Sequence, residues 1–109
     1  VKRGELWTIS GGPGFAGKPR PALIVQNDAY PDTDTITICP ITSAEIRTLV
    51  LRQHVEPDGD NGLRQPSRIM IDKITTLPRS RLRRRIGMLS AEDLARVDRA
   101  LLVFFGLAD

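Results

Sequence analysis

One cysteine and one histidine in 109 residues remove several kinds of chemistry at once. Cys39, standing alone, can close no intramolecular disulfide, which fits a reducing compartment. A single His54 cannot supply two imidazoles for paired acid/base work, and no Cys/His spacing matches a metal site, so no metal or other cofactor is expected. Aromatic residues make up 5% of the chain, too few for an extended base-stacking platform. No apolar run approaches the roughly 18 residues of a membrane span, and the first residues lack the apolar core of a signal peptide. The expectation is a cytoplasmic protein with no membrane association. A chain of this length forms one domain, residues 1–109, able to bury roughly two thirds of its unfolded surface.

What is present is positive charge, and it is local. Sixteen Lys plus Arg against thirteen Asp plus Glu leave a formal charge of +3. Arg79, Arg81, Arg83, Arg84 and Arg85 fall within one short segment. Such a patch attracts phosphate polymers or an acidic protein segment, or else is spent on carboxylates within the fold.

The stretch from Arg20 to Ser43 organises the rest. Ala22 to Val25 is apolar on both sides, as in a strand buried on both faces, and Thr35 to Ile41 is a second β-prone run. The turn-rich residues Asn27 to Asp34 lie between them, which predicts a hairpin. Pairing about the middle of that loop gives partner numbers summing to about 62, so Arg20 falls opposite Thr42 with Cβ atoms about 4.5–5.5 Å apart. A slip of one residue would send the two side chains to opposite faces. Pro40 cannot donate to a ladder and is expected at an edge, an end or a bulge.

Elsewhere, Glu5 to Ser10 predicts a first strand, with Leu6 and Thr8 on one face and Trp7 and Ile9 on the other; Trp7 belongs to the core. Gly11 to Pro19 is too rich in glycine and proline for regular structure and is either a connector or a lid beside Arg20. It carries no phosphate-loop signature. Residues 46–55 predict a strand with Leu49 and Leu51 sharing a face and His54 at its end, a structural or surface residue. Asp58 to Gly62 lacks the ligand spacing of a calcium loop and is a turn. Ser67 to Ile71 is a short strand ended by Asp72, which serves as a cap or as a partner for an arginine. Leu77-Pro78 begins a turn, and Leu82 to Met88 is a strand carrying the arginines. Ser90 caps a helix with Glu92 and Asp93 in its first turn and a stripe of Leu94, Val97, Leu101 and Phe104 facing the sheet. Leu101 to Phe105 is apolar all round, which a second subunit would cover, and Gly106 stops the helix. Cys39 reads as a small buried hydrophobe.

Arg3-Gly4-Glu5-Leu6-Trp7, Arg20 to Asp28, Pro40-Ile41-Thr42-Ser43 and Ile86 to Ser90 before a terminal helix resemble, in order and over nearly the whole chain, the MazF/PemK/Kid family of toxin ribonucleases. The resemblance implies a mainly β fold with a C-terminal helix, a small SH3-like barrel or curved antiparallel sheet, assembled as a homodimer. It implies cleavage of single-stranded RNA to a cyclic phosphate and a 5′-hydroxyl, and a partner antitoxin with an acidic, flexible C-terminal tail. It assigns catalysis to Arg20 and Thr42 and places Ser67 and Asp72 at or beside the site. Lys18 and the arginines at 79, 81, 83, 84 and 85 are the expected RNA contacts. Two positions depart from the family pattern. Pro13-Gly14-Phe15 stands where many relatives have Ser-Glu-Gln, and Met70 stands where Kid-like toxins have Arg, which leaves Asp72 as the remaining candidate for proton transfer.

The residues themselves suit a reaction in which RNA supplies its own nucleophile, the ribose 2′-hydroxyl, and the protein positions the strand and stabilises charge. Deprotonating Arg20 near neutral pH would cost roughly 7 kcal/mol, so its guanidinium is expected to clamp phosphate rather than to move a proton. Two other classes stand beside this one: a barrel that binds RNA or an acidic peptide without cutting it, and a poison of DNA gyrase of the CcdB type, which shares the fold. Arg20-Pro21 with Pro40 to Ser43 favours the ribonuclease.

Overall fold

Strand-forming residues fill most of the chain up to residue 88, and a single helix follows. The computed structural model describes residues 1–11, 18–44 and 52–109. In chain order the elements are β1 (Glu5–Ile9), β2 (Arg20–Ile24), β3 (Thr35–Thr42), β4 (Arg52–Val55), β5 (Ser67–Met70), β6 (Thr75–Pro78), β7 (Leu82–Met88) and α1 (Ala91–Phe104), with 3-10 turns at Ile71–Lys73 and Arg79–Arg81. The strands form an antiparallel sheet in the order β4-β5-β3-β2-β1-β7, with β6 also paired to β3. Among the described residues the sheet does not close on itself, which fits the curved antiparallel sheet among the expected forms. The readings of Leu49, Leu51 and the glycine-rich lid fall on residues 45–51 and 12–17, outside the described residues.

The hairpin register is the expected one. Ala22 pairs with Pro40, Leu23 with Cys39 and Ile24 with Ile38. Alternation along β2 then feeds two cores. Leu23 and Val25 join Cys39, Ile41, Leu6, Ile69 and Val97 under the helix, whereas Ala22 and Ile24 join Ile9, Ile36, Ile38 and Leu77 on the opposite face. Trp7 packs half-buried on the second core, and its indole N–H donates to Glu5 Oε1 at 3.1 Å.

Four findings differ from the sequence reading or refine it. Pro40 sits within a central strand, at the point where β3 changes partner: residues 35–38 pair with β6 and residues 41–42 with β5. Val25 N–H donates to Thr37 O at 3.2 Å. By antiparallel alternation this puts Pro40 in a non-hydrogen-bonded pair, its missing donor turned toward that break. Second, residues 75–78 form β6 where only a turn was expected, because three β-prone residues before a proline leave too short a pattern to read. Third, β5 ends at Met70, and Ile71 opens a 3-10 turn. Fourth, Val97 and Ala100 are the buried residues of α1, with Leu94 and Leu101 packed beside them, while Phe104 is 41% exposed. The helix outruns the surface beneath it. Its ends are otherwise as read: Ser90 Oγ accepts from Asp93 N at 3.0 Å, and Gly106 and Leu107 N–H donate to Val103 and Leu102 in a Schellman closure.

The turn at 58–62 is a built support. Asp58 Oδ1 accepts from both Asp60 N and Asn61 N at 2.9 Å, and the fully buried Asn61 donates to Glu56 O and accepts from Leu63 N. A Cβ on Gly62 (φ +74°) would lie 2.1 Å from Ile86 O, whereas one on Gly59 (φ +81°) would meet nothing within 4 Å. Gly59→Ala is therefore expected to cost only the left-handed strain, about 1–2 kcal/mol. Gly62→Ala adds a backbone clash of about 1–3 kcal/mol or more, so urea midpoints should separate the two variants clearly.

Candidate active site

Continuing the β2–β3 register two residues past Ala22 and Pro40 brings Arg20 opposite Thr42, on the face that carries Ile38 and the second core. Both side chains line two adjoining cavities at this end of the sheet. The first, about 260 Å³, has walls of Ile9, Ile38, Pro40, Met70 and Leu77, with Arg20, Lys73 and Arg81 among its lining. The second, about 480 Å³, runs past Thr8, Gly62, Gln65 and Ser67, with Lys18, Arg20, Arg64 and Arg84. Arg20, Ile41 and Thr42 are common to both. The pair thus stands between a mostly apolar hollow and a polar one.

Thr42 Oγ1 accepts a hydrogen bond from Ala44 N at 3.1 Å. An oxygen occupied in this way by a donor keeps its own proton to give, so the hydroxyl is a donor toward a ligand. The Arg20 side chain is exposed and makes no hydrogen bond or ion pair with any described residue. Its five N–H donors remain for an anion.

The sequence-derived site residues separate into those that reach the cleft and those held elsewhere. Ser67 lines the second cavity, buried, with its hydroxyl donated to Gln65 O at 2.9 Å. Lys18 also lies there. Of the five arginines, Arg81 lines the first cavity and donates to Ser10 O at 2.8 Å, and Arg84 lines the second. Arg79 is bound to the hairpin loop through Thr33 O and Thr33 Oγ1. Arg83 donates to Ser80 O at 3.3 Å, and Arg85 is ion-paired to Glu5 at 2.8 Å. The 3-10 turn and β7 deal these arginines to different surroundings and do not present them as one stripe. Asp72 lines neither cavity among the described residues; it lies against Arg52 at 2.7 Å, both side chains nearly buried.

Sequence reasoning missed Lys73 and Arg64. Lys73 ends a 3-10 turn that no sequence pattern announced, and Arg64 follows a turn whose docking against β7 depends on Asn61. With them the cleft holds six cations, at 18, 20, 64, 73, 81 and 84, and no carboxylate among the described residues of its lining. No group of three or more His, Cys, Asp or Glu among the described residues is placed to hold a metal ion. Cys39 is fully buried, and burial pushes its thiol up to about 12, so it is no nucleophile near neutral pH.

A family model described as "PemK-like, MazF-like toxin of type II toxin-antitoxin system" matches residues 2–105. The chain is 44% identical over 108 residues to "Probable endoribonuclease MazF" of Mycolicibacterium smegmatis, covering 99% of both. It is 32% identical over 113 residues to "Endoribonuclease EndoA" of Bacillus subtilis, covering 100% of this chain and 97% of the relative. The structure of Mycobacterium tuberculosis toxin MazF-mt6 superposes with a TM-score of 0.77 at 30% identity, covering 96% of this chain and 99% of that one.

Glu5 generates a pH prediction. Burial opposes its charge, but hydrogen bonds from Lys2 N and Trp7 Nε1 and the Arg85 guanidinium outweigh burial and hold its carboxyl below the usual range. A depressed folded-state value stabilises the fold above the ordinary glutamate pKa of about 4.3 and loses that stabilisation as pH falls through the folded value. Glu5→Gln should therefore be less stable than the wild type at pH 7, with the gap narrowing below about pH 4, as read by urea unfolding at each pH.

Proposed function

This chain belongs to the PemK-like, MazF-like toxin family of type II toxin-antitoxin systems, and on that premise we propose that it is an endoribonuclease that cuts single-stranded RNA at the cleft between Arg20 and Thr42. The observation that carries the reading is that pair, register-matched at the end of β2 and β3, set among six cations with no carboxylate in the described lining. Such a field concentrates a phosphate polymer.

The 2′-oxygen of one ribose attacks the adjacent phosphorus in line. The new P–O2′ bond closes a cyclic phosphate, the P–O5′ bond breaks, the 2′ proton passes to solvent through the open cleft, and the departing 5′-oxygen is protonated from solvent. The nucleophile comes from the substrate, so the protein's work is alignment and charge stabilisation. Arg20 spans the non-bridging oxygens, and the Thr42 hydroxyl, its oxygen already occupied by Ala44 N–H, donates to the same group. Lys18, Arg64, Arg81 and Arg84 hold neighbouring phosphates, and Ser67 shapes the second cavity's wall. The toxin works in the cytoplasm, where RNA lies. The antitoxin's acidic tail lies across the same cations and blocks the substrate by occupying them.

The helix end supports a homodimer. Leu102, Val103, Phe104, Phe105 and Leu107 are 37–74% exposed on one short segment. That much apolar surface is typical of a face that a second copy covers. Phe105→Glu should move the sedimentation of the purified chain from dimer to monomer.

Two substitutions test the cleavage itself. Thr42→Val should lower the cleavage rate about a hundredfold, the usual effect of losing one donor to a developing oxyanion. Arg20→Ala should lower it by about 10³-fold or more while circular dichroism stays unchanged. Cleavage of a labelled single-stranded RNA, with the 5′ product carrying a cyclic phosphate, is the readout; a folded Arg20→Ala protein that cuts at the wild-type rate would refute the assignment.

A further inference from the structure

We infer that Lys73 is a substrate-phosphate contact in the apolar half of the cleft and that the Arg52–Asp72 ion pair is the device that positions it, so that Asp72 acts through the turn and not on the proton. The inference rests on the cleavage reading above and adds to it.

The 3-10 turn Ile71–Lys73 carries three side chains in three directions. Ile71 is fully buried in the core beneath α1. Asp72 turns both oxygens to Arg52, with Oδ1 2.7 Å from Nε and Oδ2 accepting from Nη2 at 3.1 Å. The Nε approach lies off the N–H axis, so the Nη2 bond carries the hydrogen bonding. Lys73 is left exposed on the wall of the first cavity, with Arg20, Thr42 and Met70, and without a hydrogen bond or ion pair to any described residue.

Those three placements are coupled. Arg52 pairs across the sheet with Met70, the residue before the turn, and Ile74 N–H closes the turn on Ile71 O at 3.2 Å. The backbone that bears Lys73 is thus gripped from the strand before it, from the core and from a nearly buried ion pair. Asp72, nearly buried against Arg52 and absent from the described lining of both cavities, is not placed to take a proton from a ribose in the cleft. A lysine held at a cavity wall by a fixed turn is a point charge at a set depth, suited to a phosphate one nucleotide from the scissile one. The surrounding Ile38, Pro40 and Leu77 give the intervening sugar and base an apolar wall.

The test uses the full chain and two probes: a single-stranded RNA methylated at every 2′-oxygen, which cannot be cleaved, and the same sequence unmodified. For Lys73→Gln, the slope of log affinity against log salt for the blocked RNA should become shallower by about 0.7, one phosphate contact on a single strand. With the unmodified RNA, KM should rise about tenfold with kcat nearly unchanged, the loss of one charge-assisted hydrogen bond. Asp72→Asn should reproduce the slope change and the KM rise and leave the pH dependence of kcat as in the wild type; Asp72→Glu should restore part of both.

A wild-type slope in Lys73→Gln overturns the inference, whether or not the variant binds an acidic peptide less well. Loss of one limb of the pH profile in Asp72→Asn overturns the positioning role and returns that carboxylate to proton transfer. A wild-type protein that binds the blocked RNA and leaves the unmodified RNA intact refutes cleavage, and the salt slope still decides the place of Lys73.

Discussion

Everything at the cleft depends on the parity of one strand pairing. β2 is apolar on both faces, so its own residues would tolerate a slip with little loss of buried surface. The register is fixed from outside the strand. Gln26 Oε1 accepts from Thr37 N at 3.0 Å, and its amide N–H2 donates to Tyr30 O and Thr33 Oγ1. One polar side chain therefore ties the hairpin loop to a defined residue of β3. With that residue set, even-numbered positions of β2 and β3 share a face, and Arg20 and Thr42 meet at its end.

A second constraint is where the negative charge has been sent. Glu5 faces Arg85, Asp72 faces Arg52 and Asp98 faces Arg3 at 2.6 Å. Each pairing occupies a carboxylate with a guanidinium and holds two segments together. The Arg3–Asp98 contact binds the N-terminal segment to α1, and Arg3 Nε–H also reaches Val25 O at the end of the hairpin strand. Exposed pairs of this kind contribute little stability, about 0–1 kcal/mol. The nearly buried Arg52–Asp72 pair is different, because removing either partner alone strands a charge, a cost of about 3–5 kcal/mol. None of the cations lining the cleft has a carboxylate partner among the described residues, which suits a site whose ligand brings its own negative charge.

The hairpin, the helix with its Ser90 cap and the location of Arg20 and Thr42 were legible because each rests on a local pattern: alternation, a turn-rich loop, a capping residue. Family likeness carried the same residues. What stayed hidden depends on tertiary partners. Lys73 lines the cleft beside two anchored residues that precede it, Ile71 in the core and Asp72 on Arg52, and neither anchor can be read without the tertiary partners. Pro40 in a central strand contradicts a local rule and is allowed by a change of partner that only the assembled sheet reveals. Phe104 fits the helical stripe and still faces outward, since periodicity says nothing about how far the surface beneath a helix extends.

The pairing of β1 with β7 skips Ile86 and Arg83, two irregularities in a seven-residue strand. Each skipped residue reverses the alternation downstream. Between the two irregularities the pairs Trp7–Arg85 and Thr8–Arg84 are regular, so the guanidiniums at 84 and 85 alternate, one on the polar hollow and the other against Glu5, and the flanking skips set which of the two faces which way. What this segment encodes is therefore spacing as much as charge: deleting a single arginine from the run would preserve nearly all of its basicity, yet exchange which side chain looks into the hollow and which one is neutralised. Among such repeated residues, an insertion or deletion is a more radical event than a substitution.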